Sequence, residues 1–320
     1  MSLPVQTLVH PNQQNQSGSL SALAIEEYIN TVEGTLERER VLGPFMKLRT
    51  VKGTNVITSK SIGKATLQGV TPGTSPDGVG ADVSKLSLTV NKMVLARNIV
   101  AILEDFQTDF NVRSELAVEQ GKEHAKFMDQ AYMIQAIKAA ELTASPYGST
   151  GHFGGTNVTI ATADKRDPAK IYDALCRLLA GMAAKDVTPS RDGVAIVVTP
   201  ETFYDLLNAE QIVNGEYITS NGTKIEGVMK FKAFGVPVVA SNDLPRTNIT
   251  TSLLGAAYTG DFTNVLALAF SDRALLCGQT IPLTSKVHWS DVDLVWYVDS
   301  YAAYGMTPNR PEFAGVVTLV

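Results

Sequence analysis

The sequence has few of the residues on which most metal and redox sites depend. Of its 320 residues, only two are cysteine and four are histidine. Cys176 and Cys277 each lie in an apolar stretch, which favours buried free thiols over a disulfide. The histidines, at positions 10, 124, 152 and 288, have no second ligand at the spacing of a zinc site. We therefore expect no metal centre and no bound cofactor.

Motifs of the common enzyme classes are also missing. No serine stands in a Gly-x-Ser-x-Gly elbow, and no base is spaced to activate either cysteine. The glycine-rich stretch from Gly148 to Gly155 lacks the Lys-Ser/Thr ending of a phosphate loop. Asp291 and Asp293 alternate with apolar residues, which predicts one shared strand face, solvated or at a subunit interface, rather than an acid–base pair. We therefore expect no catalytic residue.

Strong charge of either sign and long apolar runs are absent as well. The net charge is -5, the pI is near 5.5, and no run of lysines or arginines forms a basic stripe for nucleic acid. No stretch approaches the roughly 20 apolar residues of a membrane span. The first residues lack the charged and apolar regions of a signal peptide, so none is expected. A hydrophobic content of 44% still allows one large or two moderate cores.

What the sequence does contain is a long predicted β-hairpin. Between residues 45 and 103, two strand-like stretches flank a tip at 63–84 that is rich in glycine and proline. At about 3.3 Å per residue, strands of this length reach on the order of 50 Å, which is wider than a small domain. Because an isolated two-stranded ribbon is marginally stable in water, we expect the hairpin to pack on another copy of the chain. A hairpin folded back on its own domain remains the alternative.

The second stretch of the hairpin carries the apolar residues that need a partner. Leu86, Leu88 and Val90 alternate with polar residues, which predicts a half-buried strand. From Met93 to Leu103 both faces are apolar, and this pattern predicts a strand covered on both sides. We therefore predict that Leu86, Leu88 and Val90 lie at an intersubunit contact.

The rest of the chain alternates predicted helices and strands. Residues 1–22 are polar and predict an arm that is ordered by contact with another molecule, and helical spacing follows at 21–42. A long amphipathic helix is predicted from Thr108 or Asp109 to about Leu142. After a glycine- and threonine-rich segment, the pattern predicts helices at 168–184 and 200–207, strands at 193–199, 236–241 and 264–270, a strand or helix near 252–257, and long strands beyond 280. The domain formed by the alternating helices and strands after residue 167 is therefore α+β or α/β.

Four stretches, taken in their order along the chain, carry a family resemblance. Asn111 to Glu115 (Asn-Val-Arg-Ser-Glu) opens the long helix directly after the hairpin, and Val198 to Leu207 and Phe234 to Ser241 lie in the predicted α/β region. The ending, Tyr301 to Val317, matches best. Together they resemble the major capsid protein of short-tailed bacteriophages, a branch of the tailed-phage shell fold first described in a Hong Kong phage.

The resemblance implies both an architecture and a function. It implies an α+β fold with an amino-terminal arm and helix (1–44), an extended β-hairpin loop (45–103), a peripheral domain with the long spine helix (104–164 and 281–320), and an axial α/β domain (165–280). Copies would form hexamers and pentamers of an icosahedral shell around double-stranded DNA in the virion, after assembly in the host cytoplasm. A scaffolding protein, a portal protein and a cement protein are the implied partners.

The same resemblance, with the hairpin pattern, gives candidate contacts and open alternatives. We predict intersubunit contacts at Lys60, Lys64, Leu86, Leu88, Val90, Arg113, Glu115, Arg310 and Glu312. Some members of the wider fold form a Lys–Asn cross-link, for which Lys60 or Lys64 and Asn309 are candidates, although the branch resembled here is not known for it. Two alternatives stay open: a nanocompartment shell of the same fold around a cargo enzyme, and an oligomeric α/β enzyme.

Overall fold

A computed structural model describes most of the chain. It covers residues 42–101 apart from 66, 74, 76, 77, 79 and 81, then 112–148, 151–207, 230–233, 235–291 and 293–320, together with Val32 and Thr35. The predicted arm and most of the predicted helix at 21–42 lie outside the described residues. Val32 and Thr35 have helical backbone conformation and buried side chains.

Most predicted elements are confirmed. In chain order the helices and strands are β1 (Leu48–Thr50), β2 (Val56–Ile62), β3 (Val83–Thr89), β4 (Val94–Ala101), α1 (Val112–Glu141), β5 (Thr156–Ile160), α2 (Pro168–Ala183), β6 (Ala195–Val198), α3 (Pro200–Leu207), β7 (Lys230–Ala233), β8 (Val236–Ala240), β9 (Asn248–Ile249), β10 (Gly260–Asp261), β11 (Val265–Phe270), β12 (Leu275–Ser290), β13 (Val295–Pro308) and β14 (Ala314–Leu319). The segment near 252–257, predicted as strand or helix, is instead a turn that leads into a 3₁₀ turn at Ala256–Tyr258.

Helix α1 is the longest helix of the described chain. Its 30 residues span about 45 Å. Glu115 and Glu119 are exposed in its first half, whereas from Ala131 to Ala140 the helix is buried on almost every side. The amphipathic pattern therefore holds only for the first half, and the second half passes through the core. The predicted end near Leu142 is confirmed.

A four-stranded sheet with the order β1-β12-β13-β4 is built around a long hairpin. Strands β12 and β13 pair antiparallel from Leu275 opposite Pro308 to Ser290 opposite Val295. Strand β4 pairs with β13, from Val94 opposite Ala302 to Ala101 opposite Val295. Residues 94–101, predicted as the base of the extended hairpin, are thus a strand of this sheet, which corrects that part of the prediction.

A six-stranded sheet with the order β5-β14-β11-β6-β8-β7 forms the second layer. Every residue of β6 and β11 is buried, and α1 and α2 pack on this sheet. Strands β5 and β14, from the predicted peripheral segments, lie here beside strands of the predicted axial domain. Strand β12 also runs through the predicted boundary at residue 280. The boundaries at 164 and 280 therefore do not separate the two sheets.

The β-hairpin that remains is shorter than predicted. Strands β2 and β3 have seven residues each and pair antiparallel from Val56 opposite Thr89 to Ile62 opposite Val83. Seven residues span about 23 Å, roughly half of the predicted length. The tip, residues 63–82, joins the two strands and contains no helix or strand among its described residues.

Candidate assembly surfaces

The base of the hairpin packs on its own sheet. Leu88 of β3 and Val90, the residue directly after β3, are buried with Ile57 of β2 against Leu276 and Ala303. The approach is close at Gly278 of β12, where an added Cβ would lie 1.8 Å from the Ile57 Cδ1 atom and would force the Ile57 side chain to move. We expected a neighbouring copy to bury Leu86, Leu88 and Val90. The structure corrects this expectation, because the same chain already buries Leu88 and Val90 and partly buries Leu86.

The outer end of the hairpin has the opposite character. Large apolar side chains there are exposed, with exposed fractions of 69% for Ile62, 94% for Leu67, 55% for Val70 and 63% for Val83. Within the described part of the chain, no other residue covers these side chains. We call Ile62, Leu67, Val70 and Val83 the hairpin tip patch. Ile62 and Val83 are directly opposite each other in the strand register, and several exposed large apolar side chains in one segment favour a protein–protein contact.

A largely buried network of hydrogen bonds connects β2 to the loop after α1 and to the segment before β14. The Nε2 atom of His152 lies 2.7 Å from the Ser61 Oγ, and its Nδ1 atom lies 3.6 Å from the Glu312 Oε1. The Tyr147 hydroxyl donates to the side-chain carbonyl oxygen of Asn309, and it lies 2.9 Å from the Ser59 Oγ. Each bond joins residues at least 88 positions apart. The network therefore holds the hairpin in place.

The order serine, histidine, carboxylate in this network matches that of a hydrolase triad. However, Ser61 is only 5% exposed, and the side chains of His152 and Glu312 are 10% and 7% exposed. A nucleophile must reach the substrate carbonyl carbon, which a hydroxyl at this depth does not. The Glu312 Oε2 atom has no hydrogen-bond partner among the described residues. We therefore interpret Ser61, His152 and Glu312 as a structural hydrogen-bond network and not as a catalytic triad.

The loop that carries His152 is itself fixed by Lys185. The Lys185 Nζ donates to the Gly154 carbonyl oxygen at 3.1 Å and to the Thr156 Oγ1 at 3.0 Å. Burial lowers the pKa of Lys185, and the nearby Glu312 carboxylate opposes that shift. Lys185 thus stabilises the loop after α1 that holds His152 against the hairpin.

Helix α1 covers one face of the four-stranded sheet. The Gln120 side-chain amide donates to the Asn98 Oδ1 at 2.8 Å and to the Val298 carbonyl oxygen at 3.1 Å. One turn further, His124 Nε2 lies 3.0 Å from the Ser300 Oγ. Burial lowers the pKa of His124, and its hydrogen bond to the Ser300 backbone offsets part of this shift. This face of the sheet is therefore closed within one chain.

The other face of the same sheet is open. Leu95 and Ile99 of β4 point away from α1 and are 44% and 59% exposed. Between them, the Arg97 guanidinium donates to both carboxylate oxygens of Asp299 at 2.7 Å. The prediction that this strand is covered on both sides is therefore wrong for the single chain. We call Leu95, Arg97 and Ile99, with Tyr297 beside them in the register, the open sheet face.

The remaining predicted contact residues fall into different environments. Lys60, Lys64 and Glu115 are exposed, although the Lys64 Nζ lies 3.6 Å from the Asp186 Oδ2. Arg310 is half-buried, and the side chain of Arg113 lies outside the described residues. These positions stay predictions as intersubunit contacts.

No group of three possible metal ligands occurs in the described ranges, and no helix there is long and apolar enough to span a membrane.

Comparisons with known proteins agree with this geometry. A model of the Gp10A-like family, described as "Major capsid protein", matches residues 83–276, more than half of the chain. The structure is similar to the mature capsid of bacteriophage PhiM1, with a TM-score of 0.75, 25% identity and 88% and 87% of the two chains covered. It is also similar to the capsid of cyanophage P-SCSP1u, with a TM-score of 0.76, 18% identity and 86% of each chain covered.

A weaker likeness bears on the nanocompartment alternative. A virus-like particle from Pyrococcus furiosus gives a TM-score of 0.56 at 13% identity, with 93% of this chain and 99% of that chain covered. Such a likeness shows the fold alone, and neither alternative to a phage capsid is favoured. A search of the curated proteins finds no match. By its sequence from residue 83 to 276, the chain belongs to the Gp10A-like family of major capsid proteins, which are structural and not enzymes.

Proposed function

We propose that copies of this shell-forming protein assemble as hexamers and pentamers of an icosahedral capsid around double-stranded DNA of a short-tailed phage. The hairpin tip patch and the open sheet face are two different surfaces of one subunit, and each has exposed apolar side chains. Rings close when one surface of each copy meets the other surface of the next copy, head to tail. In this proposal the hairpin tip patch of one subunit lies on the open sheet face of its neighbour.

The observation that carries the proposal is the exposure of these apolar side chains. Burying one large aliphatic side chain contributes roughly 1.5 to 3 kcal/mol before the costs of association are subtracted. Four such side chains at the hairpin tip patch therefore suffice for a weak contact. Every subunit makes this contact twice, once with each neighbour in the ring, and repeated weak contacts at high effective concentration make a durable shell.

The proposal also assigns regions and partners. The four-stranded sheet and the first half of α1 form the peripheral part of the subunit, and the six-stranded sheet forms most of the axial part. A scaffolding protein, a portal protein and a cement protein are the proposed partners beyond other copies of the chain. Lys60, Glu115 and Arg310 remain proposed intersubunit contacts, since their side chains reach the surface.

Charge substitutions at the hairpin tip patch test the proposal without disturbing the core. Leu67→Asp combined with Val70→Asp changes two exposed side chains, so the soluble subunit should keep its circular dichroism spectrum and thermal stability. Electron microscopy of the wild-type chain, expressed with its neighbouring genes, should show closed shells on the order of tens of nanometres. The double variant should show none, because aspartate at the contact would be buried without a partner.

A matched control separates charge from position. Gln68 and Ser75 are exposed polar residues of the same tip, and Gln68→Asp combined with Ser75→Asp adds the same two negative charges without removing an apolar side chain. Shells from the control and none from the double variant support the proposal. Normal shells from the double variant would refute the role of the hairpin tip patch.

A further inference from the structure

A cleft of about 360 Å³ lies at one end of the four-stranded sheet, beside β1 and the start of β12. Its floor includes Leu275, Leu276 and Cys277. Its lining includes the four cationic side chains of Lys47, Arg49, Arg273 and Arg310. Such a concentration of positive charge is unexpected in a chain with a net charge of -5. The cleft is therefore a candidate site for a negatively charged group.

Two of the four cations are neutralised within the chain. The Lys47 ammonium forms an ion pair with the Asp272 carboxylate. The Arg273 guanidinium lies 3.4 Å from the Asp192 Oδ1. The positive charge that remains in the cleft therefore belongs to the other two cations, Arg49 and Arg310.

Arg49 and Arg310 carry that charge. No hydrogen bond or ion pair engages either guanidinium in the part of the chain that the structure describes. Arg49 is exposed, and Arg310 is half-buried. An arginine guanidinium is always charged and offers a rigid fork of donors that matches a carboxylate. The cleft thus presents two uncompensated positive charges with donors available.

The opposite end of the same sheet carries two carboxylates. Asp291 and Asp293 lie in the turn between β12 and β13 and are both exposed, rather than on one strand face as predicted. The hydroxyls of Ser290 and Tyr297 each donate to the Asp293 Oδ2 at 3.1 Å. These neutral donors orient Asp293 without cancelling its charge. Neither carboxylate has an ion pair among the described residues.

The two ends cannot meet within one chain. From Leu275 opposite Pro308 to Ser290 opposite Val295, β12 has 16 residues, and the β12–β13 hairpin therefore spans about 50 Å. A contact between the acidic turn and the basic cleft therefore joins different copies. The two surfaces are different, so the contact is head to tail, the type that closes rings.

We propose that the acidic turn of one copy, which carries Asp291 and Asp293, docks into the basic cleft of another copy and pairs with Arg49 and Arg310. Two uncompensated positive charges meet two uncompensated negative charges, so the contact leaves no net charge unpaired. The inference rests on the proposed shell function and names a second contact for it, distinct from the apolar hairpin tip contact. Charged contacts of this kind fix the register between subunits and exclude wrong partners.

Charge exchange tests this pairing. Arg310→Glu alone and Asp291→Arg alone should each lower the yield of closed shells about tenfold at a fixed subunit concentration, because each places like charges together. The variant with both changes restores opposite charges and should return the yield to within about threefold of wild type. Lys52→Glu, at an exposed lysine outside the cleft, is the control and should keep the wild-type yield.

The outcomes separate this inference from the proposed function. The pairing is refuted if the shell yield of the doubly changed variant is as low as the two single losses multiplied together, while the wild type and the control form shells. The shell function would stand in that case. Shells from Arg310→Glu at wild-type yield but with less packaged DNA would also refute the pairing, because the cleft would then contact DNA phosphates. If Arg310→Glu alters the circular dichroism spectrum of the subunit, Arg49→Glu replaces it in the same exchange.

Discussion

Replacing Leu88 with alanine should release the β2–β3 hairpin while the rest of the subunit stays folded. Leu88 is buried against Ile57 and Leu276. Leucine-to-alanine changes in a core cost about 2 to 5 kcal/mol, depending on how well the site collapses or fills. Leu88 also borders an open cleft with Val90 and Gly305, so water can reach the space left by its side chain. We therefore expect the lower part of that range, about 2 to 3 kcal/mol.

The effect should be local because the cluster around Leu88 is small and separate. It holds five buried residues, whereas the main core contains α1, α2 and the six-stranded sheet. A loss of about 2 to 3 kcal/mol raises the population of the undocked hairpin about 30- to 150-fold. Regions with few buried contacts open without global unfolding.

Hydrogen–deuterium exchange with mass spectrometry measures this directly. Peptides that cover β2 should exchange about 30- to 150-fold faster in Leu88→Ala, and peptides that cover β11 should keep their wild-type rate. In unassembled subunits Val83→Ala is the matched control, because Val83 lies exposed on the same strand. It should change β2 exchange by less than about threefold. Unchanged β2 exchange in Leu88→Ala, or equal acceleration in β11, would refute the reasoning.

Two further predictions follow from buried positions. Burial lowers the pKa of His124 below 6.5, so the folded state binds its proton more weakly than the unfolded state. The contribution of His124 to the free energy of unfolding should therefore be largest above pH 6.5 and should fall as the pH drops towards the folded pKa. Urea titrations at pH 7.5 and 5.5 measure this fall, which should be smaller in His124→Gln than in the wild type. Gly278→Val should cost about 1 to 3 kcal/mol, because its side chain overlaps Ile57; a melting temperature equal to wild type would contradict the packing described at Gly278.

Local signals in the sequence were enough to place the helices. Pro168 stands in the first turn of α2, and the Asp167 carboxylate accepts from the backbone N–H of Ala169 at 3.0 Å. Pro200 likewise begins α3. Caps and prolines act within one turn of the chain, so their effect can be read from neighbouring residues. These elements were accordingly predicted to within two residues.

The partner of β4 could not be predicted in this way. Arg97 of β4 pairs with Asp299 of β13, 202 positions later. An apolar pattern indicates that a strand is buried but not which strand lies beside it. The two-sided apolar pattern of β4 also predicted a cover that the single chain does not provide over Leu95 and Ile99. In our proposal the neighbouring subunit provides it.

The contacts that hold the hairpin in place could not be predicted from the sequence either. Ser61, His152 and Glu312 come from three separate segments, and no spacing rule connects them. Glu312 was predicted at an intersubunit contact from the family resemblance, yet its side chain is buried within one chain. The sequence did contain the two carboxylates Asp291 and Asp293, but their alternation with apolar residues indicated a strand where the chain forms a turn.

The most direct test of the assembly proposal is an electron cryomicroscopy reconstruction of particles formed by the wild-type chain. The account predicts closed icosahedral shells in which a neighbouring copy covers Leu95 and Ile99 and the hairpin tip patch is buried. A small fixed oligomer in place of shells, or a shell in which both surfaces face solvent, would contradict it.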